Sequence, residues 1–252
     1  MYGAGKRYGR SGRLAAALGG MLLLAACSAE RPDAPDDDPK AKPSASDAKG
    51  PAPLTEARLT AAAFAADEKA GSYTTSPYGV GEAPFSDSYT AAPAVCQPLV
   101  SLAKGATAHD PVAEVHRDLD RDSELRSVNV TVQLRSYAGK DATAVMAALA
   151  KAGTACAAGF TEDRALTQAR YLKVEPVKAP AVGDEAKAFR FTIQDVKNKD
   201  LRLYEYLTVL RSGSTTLSFR ADVLDTKDFG GVPQEVVTAQ WEKFRAATGG
   251  GA

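Results

Sequence analysis

Strict alternation of apolar and polar residues marks two strands of a sheet. Apolar and polar side chains alternate from Val128 to Leu134 and again from Phe189 to Ile193. Successive side chains of a strand point to opposite faces of a sheet, so this period predicts strands with one buried and one wet face. The segments 201–210 and 215–224 flank a short Gly-containing connection, which predicts a β-hairpin.

Helical patterns precede these strands. Residues 54–70 are rich in Ala, Leu and Glu, with Thr55 as a candidate N-cap, and predict a first helix. In the segment 93–103, Val95, Leu99 and Leu102 are spaced as one apolar helical face. Pro98 would have to lie in the first turn of that second helix or kink it.

Two further helices are predicted between and after the strands. Asp141 is a candidate cap for a helix that runs toward Gly153, and a last helix begins near Pro233. Trp241 and Phe244 lie on one face of that last helix, where core packing is the expected role of the tryptophan. The elements together predict an α+β fold with an antiparallel sheet of four or more strands and helices packed on one face.

The N-terminus is typical of an exported lipoprotein. Four basic residues and no acidic residue lie within the first 13 positions, and the segment 14–26 contains only Ala, Leu, Gly and Met. At 1.5 Å per residue this apolar segment is too short to cross the roughly 30 Å hydrocarbon core of a bilayer. Leu24-Ala25-Ala26-Cys27 resembles the lipobox of bacterial lipoproteins, which implies cleavage before Cys27 and diacylglycerol on its thiol. A signal peptide with an incidental cysteine, or a buried helix, is the alternative.

Composition divides the chain into three parts. Residues 1–26 are interpreted as the signal peptide, and residues 27–53 as the lipidated cysteine followed by an Ala-, Pro- and Asp-rich linker that cannot bury a core. Residues 54–248 remain as a single α+β extracytoplasmic domain.

Net charge restricts the partners. Loss of residues 1–26 removes four of the 31 Lys and Arg residues and none of the 31 Asp and Glu residues, which leaves a charge near −4. No basic cluster with interleaved aromatic residues is present, so nucleic acid is not expected as a partner. The membrane contact is therefore expected to come from lipid on Cys27 rather than from a basic patch.

Two cysteines remain once Cys27 carries lipid. Outside the cytoplasmic membrane Cys96 and Cys156 are expected to form a disulfide. A catalytic pair of one cysteine with His109 or His116 is the alternative, although no local motif marks either cysteine as a nucleophile.

The chain around these cysteines resembles a known family. The segment Ala94-Val95-Cys96-Gln97-Pro98-Leu99 and the later strand, helix and cysteine between Val128 and Cys156 are similar to the PknH-like extracellular domains of actinobacterial receptor kinases and lipoproteins. The resemblance covers about 160 residues and implies a sheet with a groove and a ligand- or partner-binding role. It departs from that family in having cysteines for one disulfide instead of two.

The chain offers few candidates for metal binding or catalysis. His109 and His116 are seven residues apart, too far for one metal ion without further ligands. Asp118, Asp120 and Asp122 alternate like the start of a calcium loop, but Ser123 stands where such a loop needs Gly, which favours a solvated acidic loop. No metal site and no cofactor are therefore predicted.

A few other residues are candidates for a site. Glu175 and Glu185 could serve glycosidic chemistry only if the fold brings them together, and no hydrolase motif is present. Tyr204 and Tyr206 share one face of the predicted hairpin and are candidates for lining a ligand groove, with packing under a helix as the alternative.

The sequence therefore favours a binding protein over an enzyme. The leading hypothesis is a lipid-anchored, sensor-like module on the extracytoplasmic face of the cell membrane that captures an unknown small ligand or an envelope protein. An envelope hydrolase of unrecognised type and a structural envelope protein are the alternatives.

Overall fold

The computed structural model describes residues 50–76, 88–121, 128–164, 167–223 and 226–249. The predictions for the signal segment, for Cys27 and for most of the linker concern residues outside this description. Within the described residues there are three α-helices and one prominent 3₁₀ helix, Ala94–Leu99. The α-helices are α1 (Glu56–Ala62), α2 (Asp141–Ala155) and α3 (Gln234–Thr248).

One antiparallel sheet organises the described residues. Its ten strands lie in the order β1-β2-β4-β5-β10-β9-β8-β7-β6-β3. They are β1 (Lys69–Ala70), β2 (Tyr73–Thr75), β3 (Thr90–Ala92), β4 (Ala113–Arg121), β5 (Val128–Ser136), β6 (Phe160–Arg164), β7 (Thr167–Pro176), β8 (Glu185–Gln194), β9 (Arg202–Ser212) and β10 (Thr215–Val223). The predicted α+β class with an antiparallel sheet is confirmed.

The predicted hairpin is the centre of this sheet. β9 and β10 pair from Ser212 opposite Thr215 to Glu205 opposite Asp222, and Gly213 in the tight connection has a φ of 57°. A side chain is disfavoured at that φ, which explains the glycine. The chain enters the domain beside this turn, because the Ser214 hydroxyl donates to the carbonyl oxygen of Ala52 over 3.1 Å.

The two faces of the sheet carry separate cores. Val130, Leu210 and Phe219 belong to one core, on what we call the front face, and Phe191 and Leu207 belong to the other, on what we call the back face. Alternation along β9 produces this division, since Leu207 and Leu210 lie an odd number of residues apart. Both faces are therefore covered.

Helices α1 and α3 cover the front face. The Gln240 side chain on α3 accepts from the Phe64 backbone N–H and donates to the Ala62 carbonyl, which ties the end of α1 to α3. The buried Arg117 donates to the Phe64 carbonyl over 2.7 Å. These contacts turn the chain after Ala62, so the helix predicted over 54–70 is wrong beyond its first two turns.

Helix α2 and the 3₁₀ helix cover the back face. Gly153 on α2 packs so closely on β8 that an added Cβ would lie 2.3 Å from the Phe189 ring. The expectation that the helices pack on one face is therefore wrong. Alternation showed that each strand has an apolar side but not which face of the sheet that side forms. The apolar side of β5 belongs to the front core, whereas Phe189 and Phe191 of β8 join Leu207 on the back face and need their own cover.

Candidate functional site

A cavity of about 350 Å³ lies between the back face of the sheet and the segments that cover it. Its floor comes from β5, β9 and β10. Its walls come from α2 and from the segment 94–109, which includes the 3₁₀ helix. The volume is within the range of sites that hold small molecules in proteins.

The walls of this cavity are apolar. Val145, Ala148 and Leu149 line it from α2, three and four residues apart and therefore on one face of that helix. The part of the floor that β9 contributes is also apolar, since Leu207 and Val209 line the cavity there. Transfer of an apolar body from water into this space is favourable.

A disulfide joins the two walls. Cys96 in the 3₁₀ helix is bonded to Cys156 at the C-terminal end of α2, with their Cα atoms 5.9 Å apart. Both residues are buried. The structure thus bears out the pairing expected from the sequence, and the bond fixes the wall on one side of the cavity relative to the wall on the other.

The part of the floor that β5 and β10 contribute is polar but electrically balanced. Arg135 donates to Glu114 over 2.6 Å, and both side chains are at most 10% exposed. Gln133 donates from Nε2 to Glu114 and to the Leu102 carbonyl, each over 3.0 Å. The second bond holds the covering segment on the sheet, and the Thr216 and Ser218 side chains complete the floor.

One polar atom of the floor has no hydrogen-bond partner among the described residues. It is Oε1 of Gln133, a residue only 1% exposed. The amide orientation is set by the two acceptors that face Nε2, so Oε1 is the free acceptor. A buried acceptor without a donor costs free energy, and such an atom in a cavity suggests a ligand donor.

An ionic network lies next to the cavity, beyond Leu102. Arg220 donates to Glu205, to the Tyr171 hydroxyl over 2.8 Å and to the Leu99 carbonyl over 3.1 Å. Tyr171 in turn donates to Glu162 over 2.6 Å. Leu99 belongs to the covering wall, so this network also holds that wall on the back face.

The ionisation of the network follows from its contacts. Burial alone would raise the pKa of the Glu162 carboxyl, but Arg220, the Tyr171 hydroxyl and Arg164 together hold that pKa below its ordinary value. Burial raises the pKa of the Tyr171 hydroxyl well above its ordinary value. Glu162 is thus ionised and Tyr171 neutral at pH 7, and Arg164 and Arg220 supply the opposite charge.

Comparison with known proteins shows which fold this is. No family model and no curated protein matches the chain. The crystal structure of the extracellular domain of PknH from Mycobacterium tuberculosis matches it with a TM-score of 0.56 and 12% identity, over 79% of this chain and 98% of that one. The fold is that of the PknH extracellular domain. The Rv0999 ortholog from Mycobacterium smegmatis matches with a TM-score of 0.30 and 15% identity, over 71% of this chain and 88% of that one.

In this PknH-like domain the two tyrosines expected to line a groove have other positions. Tyr206 is 0% exposed on the front face, where its hydroxyl donates to Asp228 and accepts from the backbone N–H groups of Phe229 and Gly230. Tyr204 packs beside it, with the Arg190 guanidinium over its ring. Neither tyrosine lines the back-face cavity, and packing in the front core, the alternative role, buries Tyr206.

The histidines and acidic residues of the PknH-like domain do not form one site. His109 lies at the rim of the cavity, where its Nδ1 is 3.1 Å from Asp141, and His116 is buried on β4. Glu175 pairs with Arg190 and Glu185 lies opposite Arg211, so the strand register places the two glutamates on opposite faces of the sheet.

The predicted acidic loop is in part a strand. Asp118 and Asp120 lie on β4, where they accept from Thr131 and Asn129 of β5 over 2.7 and 2.8 Å. Asp122 and Ser123 lie outside the described residues. Within the ranges that are described, no three His, Cys, Asp or Glu side chains are grouped as a metal would require. None of the helices in those ranges is long and apolar enough to span a membrane.

Two observations favour the back-face cavity over two larger recesses elsewhere in the described residues. A recess of about 470 Å³ lies on the front face, between the segments 177–180 and 229–234. A recess of about 420 Å³ lies beside Trp241. The lining of neither recess contains a buried polar side-chain atom left without a partner, whereas the back-face cavity has one in Gln133 and has walls joined by a disulfide.

Sequence reasoning missed the cavity floor. Gln133 and Arg135 occupy the polar positions of the alternating strand that was identified, but the pattern predicted that they face water. The only available signal was the run of polar residues at every second position of two strands that pair, at Gln133 and Arg135 on β5 and at Thr216 and Ser218 on β10.

Proposed function

We propose that this chain is a sensor-like lipoprotein, anchored by lipid on Cys27 at the extracytoplasmic face of the cell membrane, that captures a small ligand in the back-face cavity. The carrying observation is the cavity itself: apolar walls joined by a disulfide above a polar floor with an unpaired acceptor. A site of this kind can bind and orient a molecule without catalysing a reaction on it.

Three features support the extracytoplasmic location. The N-terminal sequence is typical of export, and a structural disulfide persists in oxidising compartments. The PknH domain whose crystal structure shares this fold is extracellular. A receptor and a free lipoprotein can use one such domain in the same way, with a spanning helix in one case and a lipid in the other.

Binding is favoured over hydrolysis by the placement of the reactive side chains. Both cysteines of the domain are bound to each other, and His109 faces Asp141 at the cavity rim. The glutamates considered for glycosidic chemistry lie on opposite faces of the sheet. A ligand in the cavity would therefore contact neither a free thiol nor a carboxylate pair of Glu175 and Glu185.

Two exposed alanines on α2 provide a matched test of the cavity. Ala148 lines it, whereas the neighbouring Ala147 does not, so Ala148→Trp should obstruct the cavity and Ala147→Trp should not. The full chain is extracted from its own membranes and measured by native mass spectrometry. We expect a small-molecule adduct on the wild type and on Ala147→Trp that is lost on Ala148→Trp. An adduct that survives both substitutions equally would contradict binding in this cavity.

The anchor is tested separately by metabolic labelling with an alkyne fatty acid. We expect label on the wild type and no label on Cys27→Ala. Cys156→Ala is the control and should keep the label, because its thiol lies in the folded domain. Equal labelling of the wild type and Cys27→Ala would refute the anchor.

A further inference from the structure

We infer that the ligand of the back-face cavity is an uncharged amphiphile, with an aliphatic body against the walls and a hydroxyl or amide N–H that donates to Oε1 of Gln133. This inference rests on the proposed function and names the chemical class that the site accepts. Three properties of the cavity carry it: the apolar walls, the balanced charge of the floor and the unpaired acceptor.

The walls select the body of the ligand. Val145 and Leu149 face Leu207 and Val209 across the cavity, and Val95 at its edge is 37% exposed. Aliphatic side chains on both sides leave a space that an aliphatic chain fills by dispersion contacts and by release of water. Most of the apolar lining is aliphatic, with Tyr137 as its one aromatic ring, so an aliphatic chain matches these walls.

The floor excludes a charged head. Arg135 is already neutralised by Glu114, and the same carboxylate accepts from Gln133. A ligand carboxylate or ammonium placed there would be buried without an opposite charge, which is costly in a space of low polarity. The remaining basic groups of the lining, His109 and Lys151, lie at the rim: His109 faces Asp141, and Lys151 is exposed to solvent.

The unpaired acceptor determines which polar group the head of the ligand must carry. Gln133 Nε2 is occupied by Leu102 and Glu114, so only Oε1 remains, and it can only accept. The ligand must then supply an O–H or N–H. A ligand that offers only acceptors, such as an ether or ester oxygen, would leave both its own oxygen and Oε1 without a donor.

Four probes with the same aliphatic chain separate these properties: 1-decanol, 1-methoxydecane, decanoate and decylamine. Their dissociation constants are measured by titration calorimetry on the full chain held soluble in an amphipathic polymer. We expect 1-decanol to bind at least about tenfold more tightly than the two charged probes. Relative to 1-methoxydecane its advantage should be about two- to tenfold, which is the range for one net hydrogen bond.

A matched pair of glutamine variants tests the acceptor. Gln133→Leu should abolish the advantage of 1-decanol over 1-methoxydecane. Gln168→Leu makes the same change at an exposed position of β7, where Gln168 bonds to Asp163, and should keep that advantage. If Gln133→Leu does not fold, the comparison of the two probes on the wild type still decides the role of the donor.

The outcomes distinguish this inference from the proposed function. Tightest binding of decanoate or decylamine, abolished by Ala148→Trp but not by Ala147→Trp, would overturn the ligand class while leaving the cavity as the site. Equal binding of 1-decanol and 1-methoxydecane would also overturn it. If no probe binds, or if binding is unaffected by Ala148→Trp, the inference fails together with the proposed site.

Discussion

The two faces of the sheet are built from the same alternating strands but differ in the side chains that they bury. On the front face, Val130, Val132 and Phe219 of β5 and β10 are completely buried beneath α1 and α3, and the chain gains stability there. On the back face, the intervening positions of the same strands carry Gln133 and Arg220, which are also buried but are polar. The difference shows that one pair of strands can build an apolar core with one set of residues and buried polar contacts with the other.

The largest expected effect comes from the ionic network of the back face. Arg220→Met would leave Glu205 and Glu162 buried without their main positive partner, and breaking a buried pair in this way costs about 3–5 kcal/mol of unfolding free energy. Urea unfolding at pH 7 measures it. A loss below about 1 kcal/mol would mean that Arg220 is not a buried structural charge.

The disulfide should have the next largest effect. Cys96→Ala combined with Cys156→Ala removes the bond between the cavity walls, and loss of such a crosslink costs about 2–4 kcal/mol. Urea unfolding measures the loss, and native mass spectrometry should show less retained ligand because the walls are no longer tied. An unchanged unfolding midpoint would show that the bond contributes nothing to this domain.

Acid should destabilise the back face through Glu162. The pKa of Glu162 is lowered in the folded state. Its contribution to the unfolding free energy is therefore complete above the ordinary carboxyl pKa and is lost as pH falls through the lower pKa of the folded state. We expect the unfolding free energy to fall between about pH 5 and pH 3. The unfolding free energy of Glu162→Gln should fall less steeply over that interval. Parallel pH profiles for the two proteins would contradict this role.

The smallest effect is expected on the exposed part of the front face. Arg190 pairs there with Glu175 and Asp228 in side chains that are about one quarter to one third exposed, where solvent screens the charges. Arg190→Met should cost about 0–1 kcal/mol of unfolding free energy. A loss as large as that of Arg220→Met would erase the contrast between the two networks.

The sequence predicted individual strands and helices better than it predicted which helix covers which face of the sheet. The strand around Val128–Leu134, the hairpin and the last helix depend on local periodicity, which the chain shows plainly. Strand β4 was not predicted from the sequence. The polar residues His116 and Arg117 are buried in it, so its buried positions do not coincide with its apolar ones. Tyr206 was placed on the correct strand, but period two does not tell which face a distant helix will cover.

The cavity could not be predicted for the same reason. Its floor and its walls lie on segments that are up to 124 residues apart, from Ala94 to Ser218, and the roles of Gln133 and Leu102 arise only when the chain brings them into contact. The disulfide was the one long-range contact that we predicted from composition, because that prediction required only two cysteines and an oxidising compartment.

Hydrogen–deuterium exchange tests the central claim most directly. The full chain is compared as isolated from its membranes and after its bound small molecules have been stripped by a hydrophobic resin. The account predicts faster exchange after stripping in the cavity walls, segments 94–109 and 141–156, with α1 and α3 unchanged. A change confined to the front-face helices, or no change in either region, would contradict a ligand site on the back face.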